Sequence, residues 1–244
     1  MLYFRCALYM VWFVAVTIVM NLISVPFLFL PRPIGMPMGQ AWAQLVLFGL
    51  RTICGLRVEI RGHKTEPHHV LLAVKHLTMW ETVAFQGLFA DPAIVIKREL
   101  LGVPFYGWYC RKMKMIAIDR DAGASSIRAM VSQGKAAIKD GRPVVIFPEG
   151  TRRKENDPPA YRPGVAALYS QLGVPCVPMA HNSSLFWQGR FIRRPGTVVL
   201  EYLEPIPHGL TRRKFMALLE ARIEEGAKRL LAEGRAEIEA RRHG

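Results

Sequence analysis

Between Cys6 and Leu30 the chain carries twenty-five residues, CALYMVWFVAVTIVMNLISVPFLFL, without one charged side chain. As a helix this run would extend about 37 Å, more than the roughly 30 Å of a bilayer's hydrocarbon core, so the segment belongs in lipid. A cleaved signal peptide is the competing reading, and AWA at 41–43 loosely resembles a cleavage site. The apolar run is longer than an ordinary signal-peptide core, however, and a second apolar stretch, AWAQLVLFGL at 41–50, follows it. Asn21 and Pro26 are placed to break the helix. A turn over PRPIGMPMG, 31–39, would let the second stretch pair with the first. Residues 1–55 are therefore expected to form an N-terminal membrane-anchoring helix or helical hairpin. Basic residues concentrate after the run, beginning with Arg32 and Arg51, which puts the remainder of the chain on the cytoplasmic side.

Net charge narrows the partners. Thirty-three Lys and Arg against nineteen Asp and Glu leave +14, which favours phospholipid headgroups, phosphorylated metabolites or nucleic acid. A lipid-buried N-terminus is hard to reconcile with a diffusible DNA binder. The chain also has no aromatic-basic RNA signature and no helix-turn-helix cue, so no nucleic-acid partner is expected. Cys6, Cys54, Cys110 and Cys176 lie far apart and form no C-x-x-C pair, suggesting neither a disulfide framework nor a zinc site. At 244 residues the chain can bury one substantial core and need not build two.

Beyond residue 55, β-rich runs alternate with helical ones: LRVEI (56–60), VLLAV (70–74), AIVI (93–96), KMIAI (114–118), VVIF (144–147), VPCVPM (174–179) and TVVLEYL (197–203). Most are continuous apolar runs, as expected where helices cover both faces of a sheet. Helices are expected at 124–141, stopped by Gly141, and at 161–173, opened by Pro163 and stopped by Gly173. The fold class is α/β, a mixed sheet flanked by helices, over residues 56–210. Residues 211–244 form a C-terminal amphipathic helix with Phe215, Leu218, Leu219, Ile223, Leu230 and Leu231 near one face. It is expected to pack on the domain, with the membrane surface as the other reading.

Three stretches can carry chemistry. In KHLTMWET, 75–82, an apolar strand ends at His76 and a helical run begins at Glu81. In one continuous helix, positions five apart point roughly 140° away from each other, but here LTMW can curl back and bring the carboxylate to the imidazole. A carboxylate accepting from one ring nitrogen leaves the other free to take a proton from an alcohol. In IKRELLGVPFYGWY, 96–109, Lys97 and Arg98 follow a strand directly, and Arg120 closes IAIDR after another. Such cations clamp a phosphate or oxyanion, or merely make a basic corner. In FPEGTRR, 147–153, Gly150 allows a tight turn, Thr151 adds a hydroxyl and Arg152 a fork for phosphate. Glu149 beside a phosphate site is odd electrostatically unless it meets a substrate hydroxyl or pairs with a cation.

Taken in order, these stretches resemble the glycerolipid acyltransferase family, which includes 1-acyl-sn-glycerol-3-phosphate acyltransferases. KHLTMWE at 75–81 is similar to its His-x4-Asp block. KREL with PFYGW at 97–108, FPEGTR at 147–152 and GVPCVPM at 173–179 are similar to its other three blocks. The resemblance covers about residues 56–205. It implies a membrane-bound enzyme that moves a fatty acyl group from a thioester, acyl-CoA or acyl carrier protein, to the free sn-2 hydroxyl of lysophosphatidic acid, without metal or redox cofactor. Carried over by position, His76 is the general base and Glu81 its orienting carboxylate. Lys97, Arg98, Arg120 and Arg152 bind the acceptor phosphate or the oxyanion, and Glu149, Gly150 and Thr151 belong to the acceptor pocket. The implied location is the inner (plasma) membrane, catalytic domain on the cytoplasmic face.

Two departures from the family pattern stand out. Glu81 takes the place of the block's usual Asp, and its usual NHxS reads KHLT, with Lys75 and Thr78. Lys75 is expected to favour an anionic Glu81 or a neutral His76. Other lyso-lipid acceptors, such as lyso-ornithine lipid or lysophosphatidylcholine, and a catalytically inactive membrane-binding scaffold remain as alternatives.

Overall fold

The computed structural model describes residues 1–62, 69–120 and 122–243. At its centre is a seven-stranded sheet. Its strands are β1 (Leu56–Gly62), β2 (Leu71–Val74), β3 (Ala93–Lys97), β4 (Ile116–Ile118), β5 (Val144–Ile146), β6 (Cys176–His181) and, after a two-residue hairpin β7 (Trp187–Gln188) and β8 (Ile192–Arg193), β9 (Gly196–Tyr202). The spatial order is β1-β9-β6-β2-β5-β3-β4. Every neighbouring pair is parallel except β6 with β9, so the sheet is mixed, as expected. The carboxyl ends of β2, β3, β4, β5 and β6 consequently share one edge, where ligands gather in open α/β sheets.

Alternation along the strands explains their unbroken apolar sequence. Leu72, Val74 and Val145 pack into one cluster, while Leu71, Ala73, Val144 and Ile146 pack into another on the opposite face. The first cluster is covered by α1 (Leu2–Ser24), α2 (Arg32–Gly49) and α3 (Trp80–Leu88); the second by α5 (Gly123–Lys139), α6 (Pro163–Leu172) and the first half of α7 (Arg212–His243). A short α4 (Tyr106–Lys112) precedes β4. Strand β4 starts later than KMIAI suggests, because Lys114 turns the chain at φ +51° and the Met115 N–H closes back onto the Cys110 carbonyl. Gly244, the last residue of the expected C-terminal helix, lies outside the described residues.

The N-terminal segment is a helical hairpin. The indole N–H of Trp12 donates to the Leu45 carbonyl at 3.0 Å, and that of Trp42 to Thr17 Oγ1 at 3.1 Å. Helix α1 runs past Asn21 and stops before Pro26. The turn expected over 31–39 is corrected, for Pro31 is the N-cap of α2 and residues 32–39 are its first half. Proline at the opening of a helix forfeits an N–H that has no partner there anyway, so Pro33 costs little and only Pro37 removes an interior bond. The buried stripe of α1, Cys6, Tyr9, Val16 and Met20, joins the hairpin to the sheet's own cluster, and Cys6 Sγ accepts the Arg193 N–H. Helix α1 is long and apolar enough to cross a membrane, and its other face is exposed.

Candidate active site

Strand β2 delivers Lys75 and His76 beyond its carboxyl end, and α3 starts only four residues later. From the first turn of α3, Glu81 folds back onto the segment that precedes it. Its Oε1 accepts from the Leu77 and Thr78 N–H groups at 2.7 Å each and from His76 Nδ1 at 2.9 Å. Its Oε2 accepts from the Thr78 hydroxyl at 2.8 Å, with Ser183 Oγ at 3.5 Å. Burial pushes this fully enclosed carboxyl up, but the imidazoles of His181 and His76 and the N–H donors outweigh it, leaving Glu81 below the ordinary carboxylate value. With Nδ1 donating to the carboxylate, His76 Nε2 carries the lone pair. The ring lies on Phe147, centroids 4.3 Å apart and planes at 22°, and borders a cavity of about 1090 Å³.

The lining of that cavity is of two kinds. Phe13 and Met20 of α1, Trp42 of α2 and Val83 of α3, with Leu100, Val103, Phe105 and Tyr106, are apolar. Arg120, Arg152 and Arg162 are cationic, and Gly150 lies beside two of them. Gly150 adopts φ +68°, which a side chain tolerates poorly. A Cβ there would also lie 3.3 Å from Arg162 Cγ and 4.0 Å from Arg120 Nε, so two arginines flank the turn. Arg162 directly precedes Pro163 at the first turn of α6, whose unpaired N–H groups add to the positive field.

The remaining predicted residues distribute as follows. Lys97 borders the cavity and pairs with Glu99 at 2.9 Å. Arg98 points instead to Asp119, 3.4 Å away, and neither it nor Thr151, which is exposed, lines the cavity. Glu149 is fully buried behind His76. Its Oε2 accepts the His76 N–H at 2.8 Å and its Oε1 meets Lys75 Nζ at 2.8 Å, which answers the electrostatic oddity of an acid beside three arginines. Burial pushes the Glu149 carboxyl up, against the pull of Lys75. The expectation that Lys75 acts on Glu81 is corrected: its ammonium turns to Glu149 and Glu224, because the pocket around Glu81 is already filled by N–H and hydroxyl donors.

Sequence reasoning missed Arg162, His181 and Ser183. His181 is buried, donates from Nε2 to the Lys75 carbonyl at 2.8 Å, and is held below the ordinary histidine value by burial. The signal was present: HNSS begins at the last residue of the apolar β6, much as KHLT follows β2, and a polar cluster at a parallel strand's carboxyl end marks the site edge.

Comparison with known proteins bears on the same residues. Residues 57–182 match the family described as Acyltransferase. Over 161 residues, 65% of the chain, it is 36% identical to 1-acyl-sn-glycerol-3-phosphate acyltransferase of Pseudomonas aeruginosa and spans 63% of that protein's length. It is 27% identical over 172 residues to the human 1-acyl-sn-glycerol-3-phosphate acyltransferase beta, covering 68% of the chain and 62% of the relative. The chain thus spans just under two thirds of these relatives. The crystal structure of the 1-acyl-sn-glycerophosphate (LPA) acyltransferase PlsC from Thermotoga maritima superposes with a TM-score of 0.75 over 94% of this chain and 98% of that one. At 19% identity this likeness concerns the fold.

Proposed function

The chain belongs to the acyltransferase family, and we propose that it transfers a fatty acyl group from a thioester, acyl-CoA or acyl carrier protein, to the sn-2 hydroxyl of lysophosphatidic acid, giving phosphatidic acid. One observation carries this reading: the His76–Glu81 pair, 2.9 Å apart, opens onto a cavity lined by three arginines and by apolar side chains. Such a lining matches an acceptor that carries both a phosphate and a hydrocarbon chain.

In the proposed reaction His76 Nε2 takes the proton of the acceptor hydroxyl as its oxygen attacks the thioester carbonyl carbon. Glu81 holds the imidazolium so formed. The tetrahedral intermediate places a negative charge on the former carbonyl oxygen, and each fixed donor near that charge is worth about 3–4 kcal/mol. Collapse re-forms the carbonyl and breaks the carbon–sulfur bond, and the imidazolium returns its proton to the departing thiolate. The products are the new ester and the free thiol. Arg120, Arg152 and Arg162 hold the acceptor phosphate or the oxyanion, and Lys97 adds positive field at the rim.

The exposed face of α1 and the rim residues Leu100, Val103, Phe105, Tyr106 and Trp108 support a membrane setting, the inner membrane with the catalytic domain on its cytoplasmic face. The test is acyl transfer by purified protein, with lysophosphatidic acid, lysophosphatidylcholine and lyso-ornithine lipid as acceptors and acyl-CoA and acyl carrier protein as donors. Phosphatidic acid should form fastest and His76→Ala should lower kcat by at least about 100-fold. Equal turnover by His76→Ala would sink the proposal.

A further inference from the structure

Lys75 is a buried cation one residue before the catalytic histidine. Its ammonium meets Glu149 Oε1 at 2.8 Å and Glu224 Oε1 at 2.6 Å. The other oxygen of Glu149 accepts the His76 N–H, and the hydroxyl of Tyr161 donates to the same Glu224 oxygen at 2.9 Å. Glu224 comes from the middle of α7, 149 residues away in sequence. One path of direct contacts therefore runs from α7 through Lys75 and Glu149 to the backbone of His76. The same helix also holds the loops after β5 and β6. Asn182 Nδ2 donates to the Leu230 carbonyl at 3.4 Å, and Arg235 pairs with Glu155, which accepts the Ser184 hydroxyl at 2.6 Å. The apolar face of α7 is buried on the domain, through Phe215, Leu219, Ile223 and Leu230.

We propose that Glu224 is a positioning residue for the reaction. By fixing Lys75 and through it Glu149, the C-terminal helix sets where the His76 imidazole sits in the cavity. Buried ionic groups have few alternative arrangements when each is held from two sides, and one lone Lys75–Glu149 pair would keep its charges matched but lose the outer anchor. Misplacing a catalytic group by about 1 Å costs as much as 100-fold in rate, so a partial loss of anchoring is read in turnover. Glu224 is half-buried, meets Lys75 and Tyr161, neither of which lines the cavity, and lies on an element outside the residues that match the family.

The experiment measures kcat and KM for acyl transfer to lysophosphatidic acid, with thermal midpoints, for Glu224→Gln, Glu224→Asp, Lys75→Met, the double variant Lys75→Met with Glu224→Gln, and exposed Glu225→Gln as control. Glu224→Gln should lower kcat about tenfold with KM within about twofold, Glu224→Asp should recover part of the loss, and Glu225→Gln should match the parent protein. Because both residues act along one path, the double variant should be no slower than Lys75→Met alone. Parent-level kcat in Glu224→Gln, a loss that disappears when rates are normalised to folded protein, or losses that multiply in the double variant would overturn the proposal. His76→Ala is run alongside, since the inference rests on His76 as the base. If it turns over normally, that reading falls and this one with it; if it is dead while Glu224→Gln is fully active, only this one falls.

Discussion

Three donors converge on Glu81 Oε1, and a hydroxyl supports Oε2. Glutamine can replace this geometry, its oxygen meeting the N–H donors and its amide facing Thr78 Oγ1 and Ser183 Oγ, which accept as readily as they donate. Glu81→Gln should therefore fold but lack the charge that steadies the imidazolium, lowering kcat by about 100- to 10,000-fold. The same pair of proteins tests the carboxyl's lowered pKa. Unfolded, Glu81 ionises near 4.5; folded, it does so at lower pH. Between the two values the unfolded chain holds more protons, so this group's stabilisation is complete above 4.5 and is lost as pH falls through the folded value. Denaturation midpoints from about pH 6 to about pH 3.5 should fall more steeply for the parent than for Glu81→Gln, and equal slopes would refute the assignment. The arginines divide similarly. Arg152→Gln and Arg162→Gln should each raise KM for lysophosphatidic acid about 10- to 100-fold, with the donor's KM little changed. Arg98→Gln, whose side chain faces Asp119, should leave both unaltered in steady-state kinetics. His76 and Glu81 were legible because a strand end and a helix start bracket them within six residues. Arg162 was not, since it reaches the cavity only once the turn at Gly150 folds against α6.

At the scale of elements, the long apolar strands and the helices stopped by glycine were readable because burial on both sheet faces imposes continuous apolar sequence. Helix α4 and the β7–β8 hairpin were not, being held by tertiary contacts: Arg193 of β8, for instance, lies over the Trp187 ring at 3.6 Å. The segment 31–39 misled for a related reason. Its prolines and glycines suggest a turn, yet the glycines serve close packing. A Cβ on Gly39 would fall 1.8 Å from the Tyr109 hydroxyl and 2.3 Å from its ring carbon. Because the stiff ring must shift as a whole, Gly39→Ala should destabilise the protein by about 1–3 kcal/mol, read as a lower denaturation midpoint at unchanged denaturant dependence. An unaltered midpoint would mean α2 and α4 are not packed this closely.

At the scale of the whole molecule, the exposed apolar helix and the proposed catalytic pair meet around one cavity. Helix α1 lies along the domain from Cys6, beside Arg193, to Ser24, which borders the cavity. Phe105, which lines the cavity, and its neighbour Trp108 stand half-exposed with ring centroids 5.1 Å apart. Phe105 is the centre of a three-residue turn at φ +60°, ψ −59°, closed by the Tyr106 N–H on the Pro104 carbonyl at 2.7 Å. A bulky residue pays for that backbone with roughly 1–3 kcal/mol of strain, which is kept where it aims a side chain usefully. Aromatic rings at a membrane surface settle at headgroup depth, so in the proposed membrane setting, with α1 as anchor, these two should hold the cavity mouth against the bilayer. Replacing both by Ser should then leave vesicle binding intact but lower kcat/KM for bilayer-embedded lysophosphatidic acid about tenfold or more, since each ring forfeits about 1.5–3 kcal/mol of burial in lipid. A short-chain acceptor dissolved as monomers bypasses the membrane step and should be acylated at the parent rate. Quenching of tryptophan fluorescence by brominated lipids gives an independent reading, because Trp108→Phe should remove part of the quenched signal. Equal losses on both acceptors would place the rings in the catalytic fold rather than at the membrane, and unchanged quenching would put Trp108 in water.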